Sequence, residues 1–339
     1  MKFKDLKSAL LSLSIKDRKQ LLAEVVIDLT HTIETQVISR REILNNKQGA
    51  CPHCSSKSYI RTGIDKGSQR YKCKSCIRSF TEYTGTWMAR LRRRDVVSDY
   101  LEMMIEEQSL DKISAKLKMN KKTAFDWRHK ILSALSDKDN DHDDFTGITE
   151  SDETFFLRSE KGMEVSYREA RKRGGSSTKR GISNDQVAVI VTQDRKSAID
   201  MSVATLGRIS MADLDKVLGE RIKKGKTILC SDSHHSYKGF AKKNEVEFHP
   251  INVSKKQRVR GMYHIQHVNA THNKLKKWID NTFWGVSTKY LQQYLNWYKA
   301  KEFIKKMNNK VEALSQISLS DKAIERFLNI NSEYEKLIT

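Results

Sequence analysis

Two Cys-x-x-Cys pairs, Cys51-Pro52-His53-Cys54 and Cys73-Lys74-Ser75-Cys76, with 18 residues between them, constrain this chain more than any other feature. Each pair presents two thiolates from one tight turn, and a hairpin of the intervening length brings the pairs together. The result is a closed, tetrahedral, four-sulfur site of the structural zinc type. His53 is a spectator where four cysteines suffice. Four of the five cysteines fall within positions 51–76, and in a reducing compartment such clustering reads as metal ligation before it reads as disulfides.

Charge says what the surface meets. Between Lys57 and Arg94 there are 11 Lys and Arg against two acids, with Tyr59, Tyr71 and Phe80 interleaved, and the whole chain carries 63 Lys and Arg against 42 Asp and Glu, a net +21. A summed positive potential of that size attracts polyanions, and nucleic acid is the leading partner; a merely Lys-rich composition is the bland alternative. Arg92, Arg93 and Arg94 are the first candidates for phosphate contact. No apolar run approaches the ~20 residues of a membrane span, and Met-Lys-Phe-Lys-Asp-Leu does not open a signal peptide, so no membrane partner and a cytoplasmic location are expected.

The 339 residues divide by pattern. Residues 1–48 read as a helical segment, with Ser14 and Asp17 as a cap-like start between two leucine-rich stretches. The ribbon occupies 49–84. Residues 85–136 hold a basic cluster and then a helix-turn-helix pattern: Ile113 and Leu117 share one face, a short turn follows, and Lys121 to Leu132 forms the reading helix. Lys121, Lys122, Thr123 and Arg128 are its candidate DNA contacts, whereas Phe125, Trp127, Ile131 and Leu132 include the packing residues. A charged segment at 137–146, without an apolar residue to bury over Ser136 to Asp144, reads as a linker. Over 147–305 strands alternate with helices: Gly147 to Leu157, Gln186 to Thr192, Ser197 to Ala204 and Thr227 to Cys230, then helical patterns at Ala212 to Lys223, Ser236 to Lys243 and from Val268. That is a multi-domain α/β chain. Residues 306–339 form a helical extension.

Two acids stand on those strands. Asp152 lies in Ser151-Asp152-Glu153-Thr154, and Asp232 leaves a strand in Cys230-Ser231-Asp232-Ser233-His234-His235-Ser236-Tyr237. Two carboxylates at strand positions of one sheet can hold divalent cations. Downstream, Asn269 and Lys276 are seven residues apart on one helix and so share a face. Cys230 reads as a buried strand residue, and Glu153 points to the opposite face from Asp152.

With these residues the chain resembles the bacterial insertion-sequence transposases that pair an N-terminal zinc ribbon with a ribonuclease-H-like catalytic domain. It is most similar to the ISXO2-like subgroup, in which the third carboxylate of the usual Asp-Asp-Glu set is an Asn followed by Lys seven residues later. The match runs through Asp152 in Asp-Glu-Thr, Asp232 in Asp-x-x-x-Ser-Tyr, Asn269 and Lys276, and covers roughly residues 45–300. The resemblance implies a ribonuclease-H-like mixed sheet with flanking helices, and cleavage and transfer of DNA strands at the element's terminal repeats. It also implies Zn²⁺ as a structural ion and Mg²⁺ or Mn²⁺ held by Asp152, Asp232 and Asn269. An Asn oxygen is a neutral, weaker ligand for a hard cation than a carboxylate, and His272, on the same helix, is the rival third ligand. Partners implied are double-stranded DNA and further copies of the chain.

A glycine-containing basic segment with Arg171, Lys172, Arg173, Lys179 and Arg180 reads as a loop that orders on DNA. Two other function classes use the same features: a regulator, or an inactive copy, that binds DNA without cutting, and a nuclease that cuts without joining.

Overall fold

The local alternation of the chain sets its elements, and the computed structural model describes residues 3–136, 144–163, 175–177, 179–196, 198–252 and 258–338 of them. The chain divides into two compact units, 1–127 with 307–324, and 128–306 with 325–339.

In the first unit, α1 (Phe3–Ser12) and α2 (Ile15–Asn45) are separated where Ser14 caps α2, its hydroxyl accepting from the Asp17 N–H at 3.1 Å. The ribbon follows as an antiparallel sheet of β1 (Tyr59–Asp65), β2 (Ser68–Cys73) and β3 (Ser79–Thr81). Tyr59, Tyr71 and Phe80 are 4 %, 0 % and 3 % exposed. They are not a nucleic-acid surface, as their place among basic residues suggested, but the ribbon's core. Tyr71 stacks on Phe80 at 5.2 Å, and the edge of Tyr59 meets both rings. So small a sheet has little else to bury.

Three helices complete this part: α3 (Val97–Ile105), α4 (Leu110–Lys116) and α5 (Lys121–Ala134), the last crossing the division between units. Ser109 caps α4, and Lys118 takes a left-handed φ of 50° in the tight turn before α5. Ile113, Leu117 and Ala124 are buried, and Trp127 packs edge-on against Trp87 and Tyr100.

The second unit is built on one five-stranded sheet. Its strands are β4 (Gly147–Leu157), β5 (Gln186–Asp194), β6 (Ile199–Leu206), β7 (Thr227–Asp232) and β8 (Glu247–Ile251), in the order β6-β5-β4-β7-β8. The β6–β5 and β5–β4 pairs are antiparallel, whereas β4–β7 and β7–β8 are parallel. This is a ribonuclease-H-like mixed sheet, preceded in the chain by a zinc-ribbon fold. Val187 through Val191 are all 0 % exposed, the mark of a strand covered on both faces.

Helices α6 (Met211–Leu218) and α7 (His235–Lys243) cover one face: Leu214, Leu218, Tyr237 and Phe240 pack with Ala188, Ile190 and Leu229. After a short hairpin of β9 (Val259–Arg260) and β10 (Tyr263–His264), α8 (Gln266–Phe283) and α9 (Leu291–Ile304) lie on the other face. The Thr271 hydroxyl bonds Gln193 there, and the Gln292 amide group bridges Met201 and Val203. The chain ends in α10 (Lys310–Ser318) and α11 (Ala323–Ile338). Among the described residues no helix is long and apolar enough to cross a membrane.

Candidate active site and metal centres

The four ribbon cysteines converge. Cys51 Sγ lies 3.7 Å from Cys76 Sγ and Cys54 Sγ lies 3.6 Å from Cys73 Sγ, far longer than a disulfide and close to the edge of roughly 3.8 Å that four sulfurs 2.3 Å from a zinc ion would have. The two turns are alike. The first sulfur of each pair receives backbone N–H groups two and three residues on, from His53 and Cys54 to Cys51, and from Ser75 and Cys76 to Cys73. Ser55 and Ile77, the residues after each pair, both take left-handed φ values of 58° and 62°. Those N–H groups, Cys76 foremost, bring the Cys73 thiol down to about 6, whereas burial pushes Cys51 up to about 12. Convergent sulfurs in two such turns fit zinc.

In the second unit, alternation along β4 decides which acids face which layer. The β4–β7 ladder runs from Gly147–Thr227 to Glu150–Cys230 and stops. Asp152 and Asp232 each stand two residues beyond that last rung, Asp232 at the carboxyl end of β7 and Asp152 midway along β4, where the two parallel strands part. Strand order reverses between β4 and β7, which makes this the crevice where open α/β sheets bind ligands. Both acids share the face of Glu150 and Cys230, the face that α8 covers. Glu153 points the other way, to the buried Tyr237 of α7, yet also senses the charge of Asp232.

Burial pushes the Asp152 carboxyl up to about 8, with Glu153 and Asp232 adding repulsion; burial and Asp232 push Glu153 up to about 7. Glu153 Oε2 is buried with no hydrogen-bond partner among the described residues. Asp152 and Asp232, two carboxyls on one face with the charge of Glu153 behind them, are the complement of a divalent cation, and hard oxygen donors suit Mg²⁺ or Mn²⁺.

Helix α8 buries Val268, His272, Leu275, Trp278 and Ile279, leaving Asn269 and Lys276 exposed beside that seam. Among the described contacts none joins the Asn269 amide to Asp152 or Asp232. His272 does touch β4: its ring bonds the Asp152 backbone, its Nε2 is buried without a partner among the described residues, and burial and Lys276 bring it down to about 4. It is a neutral imidazole beside the acids. Cys230 is fully buried, with its thiol pushed up to about 12 by burial.

Of the residues expected on DNA, Arg92, Arg93 and Arg94 are exposed, Arg94 lying over the Tyr83 ring at 3.8 Å. With Lys66, Arg70 and Arg90, Arg92 and Arg94 line a groove of about 990 Å³ along the ribbon. Lys121, Lys122 and Thr123 are exposed on the first turn of α5, with Lys121 paired to Asp111 and Lys122 to Asp126. Arg128 is a correction: it is 3 % exposed, bonded to Tyr294 with its guanidinium over Trp297 at 5.4 Å, so it packs and does not read. Lys179 and Arg180 are exposed, and Arg171, Lys172 and Arg173 lie outside the described residues.

The sequence reading missed Glu150. Its signal was the two-residue offset from Asp152, which puts both acids on one face. Its partners, His264 and His267, lie more than 110 residues away in the chain.

Residues 145–299 match the family model described as the ISXO2-like transposase domain. The chain is 26 % identical over 275 residues to an uncharacterised protein in transposable element ISH50 of Halobacterium salinarum, covering 79 % of this chain and 89 % of that one. Among solved structures it is similar to a pre-cleavage Mos1 transpososome (11 % identity, TM-score 0.26, 70 % of this chain and 78 % of that one). It is also similar to a Mos1 transposase paired-end complex with the left transposon end (12 %, 0.26, 71 % and 80 %).

Proposed function

We propose that this chain, an insertion-sequence transposase by its ISXO2-like domain, cuts and joins DNA strands at a centre where Asp152, Asp232 and Asn269 hold divalent cations and Lys276 holds a phosphate. The observation that carries this reading is the pair Asp152 and Asp232 on one face of adjacent parallel strands, each two residues beyond the last shared rung, with the charge of Asp232 adding to the upward shift of Asp152.

Asp152 and Asp232 supply the charged oxygens, and Asn269 adds a neutral one, so the third ligand completes the shell without adding repulsion. Bound divalent cations would activate the attacking oxygen and stabilise the leaving one in an in-line displacement. Lys276, exposed two turns along α8, is a point charge for a non-bridging phosphate oxygen. His272 stays the rival third ligand, since its neutral ring carries an unpartnered nitrogen.

The ribbon cysteines Cys51, Cys54, Cys73 and Cys76 hold structural zinc. Residues 49–84 and 85–136, through Arg92 to Arg94 and Lys121 to Thr123, bind the element's ends, while 147–305 catalyses and 306–339 extends the chain. Arg171 to Arg173, Lys179 and Arg180 add contacts near the cut, on an assembly of several copies.

The test is incubation of zinc-loaded protein with the DNA ends flanking its gene in Mg²⁺ or Mn²⁺, comparing wild type, Asp232→Ala and Asn269→Ala on a sequencing gel. Metal-dependent cuts lost in both variants are expected. Binding without cutting in either metal would leave a regulator or an inactive copy; normal cutting by Asn269→Ala would move the third ligand to His272.

A further inference from the structure

Helix α8 begins at Gln266, and the residue at its cap position, Ile265, has no side-chain oxygen to offer the first turn. A strand residue supplies it instead. Glu150 Oε2 accepts from the His267 N–H at 2.9 Å and the Val268 N–H at 3.4 Å, the second and third helical positions that a capping side chain ordinarily serves. Its negative charge also sits at the positive end of the helix. Oε1 accepts from His267 Nδ1 at 2.7 Å and lies 3.2 Å from His264 Nδ1. The Glu150 side chain is 1 % exposed, and a carboxylate so buried must have its acceptors used.

Glu150, His264 and His267 have the make-up of a metal site, with ligand atoms all within 4.8 Å of one another. Arg195 argues against that reading. Its Nη2 is 3.1 Å from His264 Nε2 and 3.8 Å from Glu150 Oε1, and it also donates to the Met262 carbonyl. A guanidinium can only donate, so His264 Nε2 accepts from Arg195, while its Nδ1 takes the Gln266 N–H at 3.4 Å. The cluster is satisfied as a hydrogen-bonded clamp, with a cation already beside the carboxylate.

The clamp's place in the chain gives it a consequence. Glu150 is two residues before Asp152 on β4, and His267 is two residues before Asn269 on α8. One turn further along α8, His272 bonds the Asp152 backbone. Strand and helix are therefore tied on either side of the level at which Asp152 and Asn269 would share a cation. We infer that Glu150 is a positioning residue that fixes the register of α8 against β4, and with it the distance from Asn269 to Asp152; this rests on the ligand set proposed above.

The experiment uses the full, zinc-loaded chain with Glu150→Ala, Glu150→Gln and Asn269→Ala. Mn²⁺ binding is followed without turnover by the electron paramagnetic resonance of free Mn²⁺, alongside the Mg²⁺ dependence of end cleavage and the unfolding temperature. Removing an outer partner of a ligand typically costs about 10- to 100-fold in metal affinity. Glu150→Ala is expected to raise the Mn²⁺ concentration for half-saturation by about that factor, with cleavage recovered at high Mg²⁺. Glu150→Gln, which keeps one accepting oxygen for the backbone, should lose less. A Glu150→Ala protein that is folded and binds Mn²⁺ as wild type does, whatever its unfolding temperature, overturns the proposal. If Glu150→Ala does not fold, wild-type half-saturation in Glu150→Gln overturns it. A second equivalent of zinc held by wild type and lost in Glu150→Ala would make the cluster a metal site instead. Normal Mn²⁺ affinity and cleavage in Asn269→Ala would remove the underlying ligand set; impairment in Asn269→Ala with both Glu150 variants normal would remove the positioning role alone.

Discussion

Asp152 carries its proton at neutral pH in the cation-free protein, because burial and its acidic neighbours hold its carboxyl at about 8. A folded-state value above the unfolded one means that the native chain binds more protons, so this stability is complete below about pH 4 and is lost as pH rises through 8. Glu153 acts in the same sense up to about 7. His272, held at about 4, acts in the opposite sense: the unfolded ring takes a proton below about 6.5, so stability grows from pH 4 to 6.5. Above that the carboxyls operate alone only up to about pH 7, where the buried Lys299, brought down to about 7, begins to act in the opposite sense. Zinc-loaded, Mg²⁺-free protein should therefore lose thermal stability from pH 6.5 to 7, and saturating Mg²⁺ should flatten the decline; a metal-free profile that is flat over that window would contradict the repelling cluster. Arg128 gives a second prediction. The sequence placed it on the reading helix by charge alone, yet its stem and guanidinium pack against Tyr294 and Trp297. Arg128→Ala should cost about 1–3 kcal/mol of stability in denaturant titration and leave the salt dependence of DNA binding unchanged, whereas Lys122→Ala should lower that salt slope by about one.

Elements were legible where local pattern and tertiary burial agree. β4 was read at its observed bounds, Gly147–Leu157, and β5 from its valine run, because a strand covered on both faces needs a continuous apolar stretch. β8 went unread: Glu247-Phe-His-Pro-Ile is short and contains a proline, which the sheet accepts on an edge strand. Asp152, Asp232 and the cysteines were legible because their chemistry is carried in short motifs. The Glu150 clamp was not, since a buried acid is recognised only by partners the fold brings to it. The terminal segments were read as helical, Ser14 cap included, but not where they pack. Residues 307–324 belong with the N-terminal unit, joined there through Gly85, whose carbonyl accepts from Ile324 at 3.1 Å and whose φ is +87°. A Cβ at Gly85 would lie 2.2 Å from the Asp321 carbonyl oxygen. Gly85→Ala should destabilise that unit and expose 307–324 to protease, while Gly67→Ala, where a Cβ meets nothing within 4 Å, should pay only its positive-φ strain. In the ribbon, Cys73→Ser should abolish zinc retention and make 49–84 protease-sensitive, as expected where metal binding supplies the folding energy of a small module.

At the scale of the whole molecule, a net charge of +21 favours polyanionic partners, and in the proposed function two kinds of metal chemistry would divide the labour: sulfur ligands for a structural ion, oxygen ligands for exchangeable catalytic ones. The catalytic claim stands on a single constellation. Its most direct test is the anomalous diffraction of Mn²⁺ in crystals of the zinc-loaded protein bound to its element's end. The account predicts Mn²⁺ between Asp152 and Asp232 with the Asn269 Oδ1 at ligand distance, about 2.2 Å. Mn²⁺ bound by the two acids with His272 Nε2 in that third place would replace Asn269, and no Mn²⁺ at Asp152 and Asp232 in the DNA complex would contradict the account outright.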